Sequence, residues 1–163
     1  MSLLLLAQLL FLLLVANGAP ILLRRVLGDC GNWPIDLGWK LPVDGRPLLG
    51  SSKTWRGLLG AVLCAGMTAP VMNMPIRIGL LIGLGAMLGD LLSSFMKRRA
   101  GLSPGAMAFG LDQIPESLIP LLVVRTEVGI SLATTGVLVL LFLVTELVLS
   151  RLLFAWHIRE RPY

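Results

Sequence analysis

Long apolar runs separated by polar segments dominate the chain. Five such runs occur, at residues 2–23, 57–74, 76–96, 114–124 and 128–156. A membrane-spanning helix needs about 20 mostly apolar residues, because its backbone must satisfy its own hydrogen bonds across the hydrocarbon layer. The pattern therefore predicts five helices, of which the fourth is short and interrupted by Pro115 and Pro120.

The composition fits a protein embedded in lipid. Of the 163 residues, 56% are hydrophobic and 14% are charged, whereas soluble domains average about 45–50% and about 25%. The mean hydropathy is +0.86. Because the sequence has no internal repeat, we predict a single membrane-embedded domain, 1–163, of the all-α class. Membrane lipids and no nucleic acid are the expected partners, and the sequence leaves the oligomeric state open.

The positions of Lys and Arg predict the orientation. Twelve of the 14 fall in the first and third connections, their flanks and the C-terminal end, and only Arg77 and Arg125 fall on the opposite side. The positive-inside rule then places two polar loops and the C-terminus in the cytoplasm and the N-terminus outside. We predict a multi-pass protein of the cell membrane, with five transmembrane helices. The first run has no preceding positive charge, so we interpret it as a helix rather than a cleaved signal peptide.

Small residues at four-residue spacing indicate where helices approach each other. They recur in the second and third runs as Gly57, Ala61 and Ala65, and as Gly79, Gly83, Gly85 and Gly89. Small side chains let membrane helices pack backbone against backbone. We therefore expect the second and third helices to lie in close contact.

The first polar loop carries a candidate phosphate-binding segment. It contains GSSKT at 50–54, directly before the second helix. Glycine lets the backbone approach an anion, and Ser, Lys and Thr side chains donate hydrogen bonds to phosphate oxygens. The segment is not a P-loop, in which a lysine directly follows the second glycine. A solvated loop that binds lipid headgroups is the alternative interpretation.

An acidic residue, Asp90, lies inside the third apolar run. A carboxylate in this position is energetically costly, so a functional role is the first hypothesis. Lys97 follows seven residues later on the same helix face, with Ser93 or Ser94 on the turn between them. The alternative is an aspartate that snorkels to the interface or pairs with a lysine for structural reasons.

A second carboxylate, Asp112, follows the Lys97-Arg98-Arg99 run and a glycine-containing segment. Two carboxylates near the interface suit Mg²⁺, which takes one or two of them together with substrate phosphates and waters. Basic side chains nearby would neutralise a triphosphate. One histidine and two cysteines disfavour a zinc site, a haem site and a disulfide framework. Phosphoryl or nucleotidyl transfer fits, because an ionised phosphate nucleophile needs no general base.

Four segments make the chain resemble a known family. ANGAPILLRR (16–25), VDGRPLLGSSKTWRG (43–57), GDLLSSFMKRRAGLSPG (89–105) and LDQIPES (111–117) resemble the CDP-archaeol synthase family, in the same order. Residues 94–112 also resemble the phosphatidate cytidylyltransferase signature, in which S-x-x-K-R precedes a glycine-rich segment and an aspartate. The resemblance implies Mg²⁺-dependent transfer of CMP from CTP to a lipid phosphate, which yields a CDP-lipid and pyrophosphate.

The resemblance also implies roles for individual residues. The expected catalytic residues are Asp90, Lys97 and Asp112, and the expected metal ligands are Asp90, Asp112 and Glu116. Polar residues of both loops complete the expected substrate site: Asp44, Arg46, Ser52, Lys53, Thr54, Arg56, Ser94, Arg98, Arg99 and Gln113. The two loops together would form the active site, and the lipid tails would lie in a groove between helices that opens to the bilayer.

One position departs from the broader pattern. The cytidylyltransferase signature reads D-R-x-D, whereas this chain has Asp112, Gln113, Ile114 and Pro115, and Glu116 lies one place further on. Either Glu116 substitutes for the missing carboxylate, or the site uses fewer protein ligands, or the activity is altered. The lipid phosphate is open between an archaeol type and a phosphatidic-acid-like type.

Other functional classes fit less well. A non-enzymatic transporter or scaffold would place Asp90 on an ion path, but the outer halves of the helices are apolar. A lipid phosphatase commonly uses histidine, and His157 stands alone beside Trp156, as expected of an interfacial anchor. The D-x-x-D-G-x-x-A-R pattern of CDP-alcohol transferases does not occur in the sequence.

Overall fold

The computed structural model describes residues 2–104 and 106–156. This part of the chain forms five helices: α1 (Leu3–Leu27), α2 (Trp55–Val71), α3 (Ile76–Arg99), α4 (Gln113–Val128) and α5 (Leu132–Ala155). The prediction of an all-α protein with five helices is confirmed. His157, predicted to anchor at the interface, lies outside the described residues.

Several predicted helix ends were wrong by a few residues. Helices α1 and α3 continue through the basic residues at which the apolar runs 2–23 and 76–96 stop. Lys and Arg favour the last turn of a helix because they complement its negative end. Helix α2 ends at Val71 instead of residue 74. Pro70 lies in its last turn, and Asn73, just beyond the helix, takes a left-handed conformation (φ 57°).

The fourth helix is longer than the predicted 114–124, and the fifth begins later than residue 128. Helix α4 continues to Val128 and ends at Gly129, which adopts the left-handed conformation (φ 68°) that favours glycine at this position. Ser131 then caps α5 by accepting a hydrogen bond from the Thr134 backbone N–H at 3.2 Å. Gly129, Ile130 and Ser131 form the connection between the two helices.

Helix α3 lies at the centre of the bundle, between α2 and α4, and α5 packs against α4 and α1. The glycines of α3 explain its close contacts with α2 and α4. A Cβ added at Gly83 would lie 2.7 Å from Val62 Cα in α2, and one at Gly85 would lie 2.7 Å from Pro120 Cα in α4. The predicted contact between the second and third helices is confirmed, and the second glycine pair serves α4 instead.

The apolar core lies at the end of the bundle away from the two polar loops. It is built from buried side chains of all five helices, including Leu9, Leu12, Ala69, Ile78, Ile82, Leu121, Leu138 and Phe142. Three described helices are long and apolar enough to cross a bilayer: α1, α3 and α5. Many large apolar side chains point outward, as in Leu84, Leu88 and Leu92 of α3. Such a surface suits surrounding lipid.

Candidate active site

The two polar loops and the adjoining ends of all five helices surround a cavity of about 1010 Å³. Most of the predicted site residues line it: Ser52, Lys53, Thr54, Arg56, Asp90, Ser94, Lys97, Arg98, Asp112, Gln113 and Glu116. These residues come from both loops and from three helices. The expectation that the loops contribute to one shared site therefore agrees with the geometry.

Lys53 and Asp90 form a close ion pair in the cavity. The Lys53 ammonium donates hydrogen bonds to both Asp90 carboxylate oxygens, at 2.5 and 2.6 Å. Each side chain is 19% exposed. Burial disfavours the charged form of Lys53, but the facing carboxylates of Asp90 and Glu116 outweigh it and raise the pKa of Lys53. The lysine of the GSSKT segment is thus fixed over the intramembrane carboxylate.

Asp90 and Lys97 line the same cavity, as their shared helix face predicted, but Lys97 pairs with Asp112. Its ammonium lies 2.6 Å from Asp112 Oδ1 and donates to the Ala106 carbonyl oxygen at 3.1 Å. Seven residues separate Asp90 from Lys97, or about 10 Å of helix. Lys97 therefore pairs with Asp112 just before α4, whereas Asp90 pairs with Lys53 from the first polar loop.

The carboxylates of Asp90 and Glu116 face each other across the contact between α3 and α4. Gly89 makes this approach possible, because a Cβ there would overlap the Pro115 carbonyl group and would lie 2.7 Å from the Glu116 backbone nitrogen. Pro115 sits in the first turn of α4, where its missing N–H has no helical partner to lose. The proline that interrupts the signature pattern is thus part of the helix contact.

Arg98 is a buried cation that faces the cavity. The residue is 3% exposed, and its Nε and Nη1 atoms have no hydrogen-bond partner within the described part of the chain. Asp112 Oδ1 is likewise buried without a hydrogen bond, although it lies at ion-pair distance from Lys97. Buried polar groups of native proteins are nearly always satisfied. An anion at Arg98 would satisfy its two free nitrogens, whereas Asp112 Oδ1 already faces the Lys97 ammonium.

Asp36 fixes the shape of the first loop, a role that the sequence did not indicate. Its carboxylate accepts hydrogen bonds from the backbone N–H groups of Leu49 and Gly50 at 2.9 Å and of Gly38 at 3.0 Å. Burial acts to raise the pKa of Asp36, but these backbone donors outweigh it and lower the pKa below its ordinary value. The carboxylate thereby anchors the start of the GSSKT segment.

Asp44, Arg46 and Arg99 lie outside the cavity lining and bind one another instead. Arg99 donates to both Asp44 carboxylate oxygens at 2.7 Å, and Arg46 donates to the Arg99 carbonyl oxygen at 2.8 Å. The Arg46 backbone N–H, with help from Arg99, lowers the pKa of Asp44. This cluster ties the first loop to the end of α3, so the structure places these three residues beside the site rather than in it.

The oxygen donors in the cavity fit Mg²⁺. Among the residues that the structure describes, no three acidic, histidine or cysteine side chains converge as a ready ligand cluster. Asp90 and Asp112 nevertheless line one cavity, and Mg²⁺ commonly uses one or two carboxylates with substrate phosphates and waters. Asp112 Oδ1, which pairs with Lys97 at 2.6 Å in this structure, is an oxygen ligand of the required kind.

Comparison with known proteins identifies the family. A family model described as CarS-like, CDP-archaeol synthase, matches residues 1–76 and 69–161. The chain belongs to the CDP-archaeol synthase family. This membership favours the enzymatic interpretation over the transporter or scaffold alternative, and the predicted resemblance is confirmed.

Individual members of the CDP-archaeol synthase family are similar to this chain over much of its length. The protein of that name from Pyrococcus furiosus is 39% identical over 110 residues, 60% of this chain and 60% of the relative. That from Hyperthermus butylicus is 44% identical over 107 residues, 62% of this chain and 60% of the relative. The aligned part thus spans about 60% of these relatives' length.

A solved structure agrees with the fold. An intramembrane enzyme for archaeal membrane lipids biosynthesis is 31% identical to this chain, with a TM-score of 0.69 over 84% of this chain and 89% of that chain. Together with the apolar helices, this likeness indicates that the present CDP-archaeol synthase family member is a multi-pass membrane protein.

The sequence reasoning missed cavity residues on the first and last helices of this CDP-archaeol synthase family member. Asn17 and Arg24 of α1 and Glu146 of α5 all line the cavity. A signal existed for Glu146, because it is the one acidic residue in the final apolar run. An intramembrane carboxylate is a functional candidate by default, and the same reasoning that singled out Asp90 applies to it.

Proposed function

We propose that this protein transfers CMP from CTP to a lipid phosphate of the archaeol type, which yields a CDP-lipid and pyrophosphate. The observation that carries this proposal is the buried Arg98 guanidinium, with two unsatisfied nitrogens, beside two Lys–Asp pairs in one cavity. A cavity of this kind suits a polyphosphate. The names of the relatives support cytidylyl transfer in particular.

In the proposed reaction, an oxygen of the lipid phosphate attacks the α-phosphorus of CTP. The bond between the α- and β-phosphates breaks, and pyrophosphate leaves. Lys53, Lys97 and Arg98 would hold the triphosphate and neutralise its charge, because they are the cations that line the cavity near the carboxylates. The nucleophile is already ionised, so positioning and charge neutralisation account for the catalysis.

Asp90 and Asp112 would hold Mg²⁺ in this account, with Glu116 next to Asp90. A bound Mg²⁺ supplies positive charge to the phosphate oxygens. In the present structure Lys53 forms an ion pair with Asp90, and Lys97 forms one with Asp112. Both lysines carry flexible side chains that could turn toward the triphosphate.

The lipid tails would lie along the seam between α1 and α5. A small crevice of about 30 Å³ marks this seam on the surface of the bundle and is lined mainly by apolar residues of the two helices, among them Leu14, Gly18, Leu149 and Leu153. Asn17, Ile21 and Glu146 border both this crevice and the polar cavity. A lipid in the seam would therefore present its phosphate to the nucleotide. The basic loops favour a cytoplasmic location for this site.

The test uses detergent-purified protein, CTP, Mg²⁺ and lipid phosphates with ether-linked or ester-linked tails. Wild type is expected to form a CDP-lipid with the ether-linked type. Arg98→Gln is expected to weaken CTP binding by about tenfold or more, the value of one charge-assisted hydrogen bond. Arg77→Gln is the matched control, because Arg77 is largely exposed and pairs with Glu127 at 3.6 Å, outside the cavity lining. Equal CTP affinity in the two variants would contradict the proposal.

A further inference from the structure

Helix α5 carries a carboxylate, Glu146, in surroundings where a carboxylate is costly. The apolar part of α5 has a mean hydropathy of 2.4, the highest of the three long helices. Most of this helix faces outward, yet Glu146 lines the polar cavity. An acid retained at such a depth is a functional candidate, and the reaction outlined above gives it no role.

Both side-chain oxygens of Glu146 accept hydrogen bonds from neutral donors. The Gln113 side-chain amide donates to Oε2 at 3.1 Å, and the Ser150 hydroxyl donates to Oε1 at 3.0 Å. Gln113 and Ser150 are 4% and 2% exposed. The carboxylate is therefore held on one side by its own helix and reaches α4 on the other side.

This contact sets the orientation of the Gln113 amide. An ionised carboxylate only accepts hydrogen bonds, so it selects the NH₂ end of the amide and turns the carbonyl oxygen away. That oxygen accepts a hydrogen bond from the Gly110 backbone N–H at 2.9 Å. Gly110 occupies the left-handed region (φ +77°), which few other residues adopt. The amide thus links α5 to the turn before α4.

The same turn carries Asp112. Its Oδ2 atom accepts from the Ala108 backbone N–H at 3.1 Å, which leaves Oδ1 directed at Lys97. Ala106, at the start of the same turn, supplies the carbonyl oxygen to which the Lys97 ammonium donates. The position of Asp112 and of Lys97 therefore depends on this turn, and the turn is held by Gln113.

We propose that Glu146 is a positioning residue, which acts through Gln113 to fix the 106–112 turn and hence Asp112. The inference rests on the proposed function, since Asp112 matters there as a metal ligand and partner of Lys97. Helix α5 then contributes to the active site by positioning the metal ligand Asp112. Residues that orient metal ligands typically affect metal affinity or activity by about 10- to 100-fold.

The test compares Glu146→Leu, Gln113→Glu and the exchanged pair Gln113→Glu with Glu146→Gln. In the exchanged pair the amide donates from α5 to a carboxylate on α4, whose second oxygen still accepts from Gly110. We expect each single change to lower kcat and Mg²⁺-dependent CTP affinity by about tenfold or more. The exchanged pair should recover kcat and Mg²⁺-dependent CTP affinity to within about threefold of wild type. Glu127→Leu, at the other end of α4, is the control.

Two results would overturn the positioning role. One is a Glu146→Leu protein with the kcat and CTP affinity of wild type, and the other is an exchanged pair that is folded but no better than Glu146→Leu. If Glu146→Leu does not fold, the exchanged pair and Gln113→Glu decide. If wild type makes no CDP-lipid but Glu146→Leu still weakens CTP binding, the proposed reaction fails and the positioning role stands.

Discussion

The substitution Gly89→Ala probes the helix contact that brings the carboxylates together. A Cβ at Gly89 would lie 2.7 Å from the Glu116 backbone nitrogen, and ordinary van der Waals contact begins at 3.4 Å. Helices α3 and α4 must therefore separate locally by at least 0.7 Å, the difference between these distances. The Pro115 carbonyl group, which the new Cβ would overlap, requires a larger shift. All the obstructing atoms belong to the backbone, so none can rotate away.

The expected loss of stability follows from two opposing effects. Overpacking a close contact costs about 1–3 kcal/mol, and backbone obstruction places Gly89→Ala in the upper part of that range. Alanine gains about 1 kcal/mol over glycine in a helix interior. The net loss in the free energy of unfolding is about 1–2 kcal/mol. The separation also draws Glu116 away from Asp90, and a displacement near 1 Å at a reacting centre lowers the rate by about 100-fold.

The assay pairs this variant with Gly136→Ala, because a Cβ at Gly136 in α5 meets nothing within 4 Å. Unfolding of the detergent-solubilised proteins is followed by circular dichroism during titration with SDS, and CDP-lipid formation is measured on the same samples. Gly136→Ala should equal or exceed wild type in stability and match it in activity. A Gly89→Ala protein that is as stable and as active as Gly136→Ala would refute the reasoning.

Three further outcomes are expected. A double-mutant cycle of Lys53→Met and Asp90→Asn should give a coupling of about 1–3 kcal/mol in the free energy of unfolding, and additive losses would show that their ion pair contributes nothing. The Asp36 pKa is lowered in the folded state, so its stabilising contribution is complete above the ordinary value of 3.8 and is lost as the pH falls through the folded-state pKa. Asp36→Asn should therefore lower stability at pH 7, and a deficit that does not shrink below pH 3.8 would contradict this. Gly18→Leu should raise the KM for the lipid phosphate about tenfold, or about 1.4 kcal/mol, without changing the KM for CTP, because the leucine side chain would occupy the lipid seam. Neither Gly18 nor Gly136 has an atom within 4 Å of an added Cβ, so Gly136→Leu is the control and should change neither KM. Equal effects of the two substitutions would refute the lipid seam.

The helices were predictable because their signal is local. A long apolar run must become a helix in lipid, whichever partners it meets. The helix ends are less predictable, since the apolar runs stop at Lys and Arg residues, whereas these residues continue the helix and stabilise the last turn of α1 and α3. The glycine pairs indicated close packing, but spacing alone did not reveal that Gly85 and Gly89 face α4 instead of α2.

The site was predictable in its residue types and less so in its pairings. Sequence periodicity placed Lys97 on the same face as Asp90, yet their partners come from segments distant in the sequence. The anchoring of Gly50 by Asp36 likewise depends on the folded loop and has no sequence pattern of its own. Glu146 differs, because its apolar surroundings made it visible and only its partner Gln113 required the structure.

The fate of the α-phosphate of CTP tests the central claim most directly. Purified protein is incubated with Mg²⁺, an ether-linked lipid phosphate and CTP labelled at either the α- or the γ-phosphate, and lipid and aqueous fractions are counted. The account predicts that the α-label enters the lipid and that the γ-label is recovered in pyrophosphate. Transfer of the γ-label to lipid, or an α-label that stays in the aqueous fraction, would contradict cytidylyl transfer.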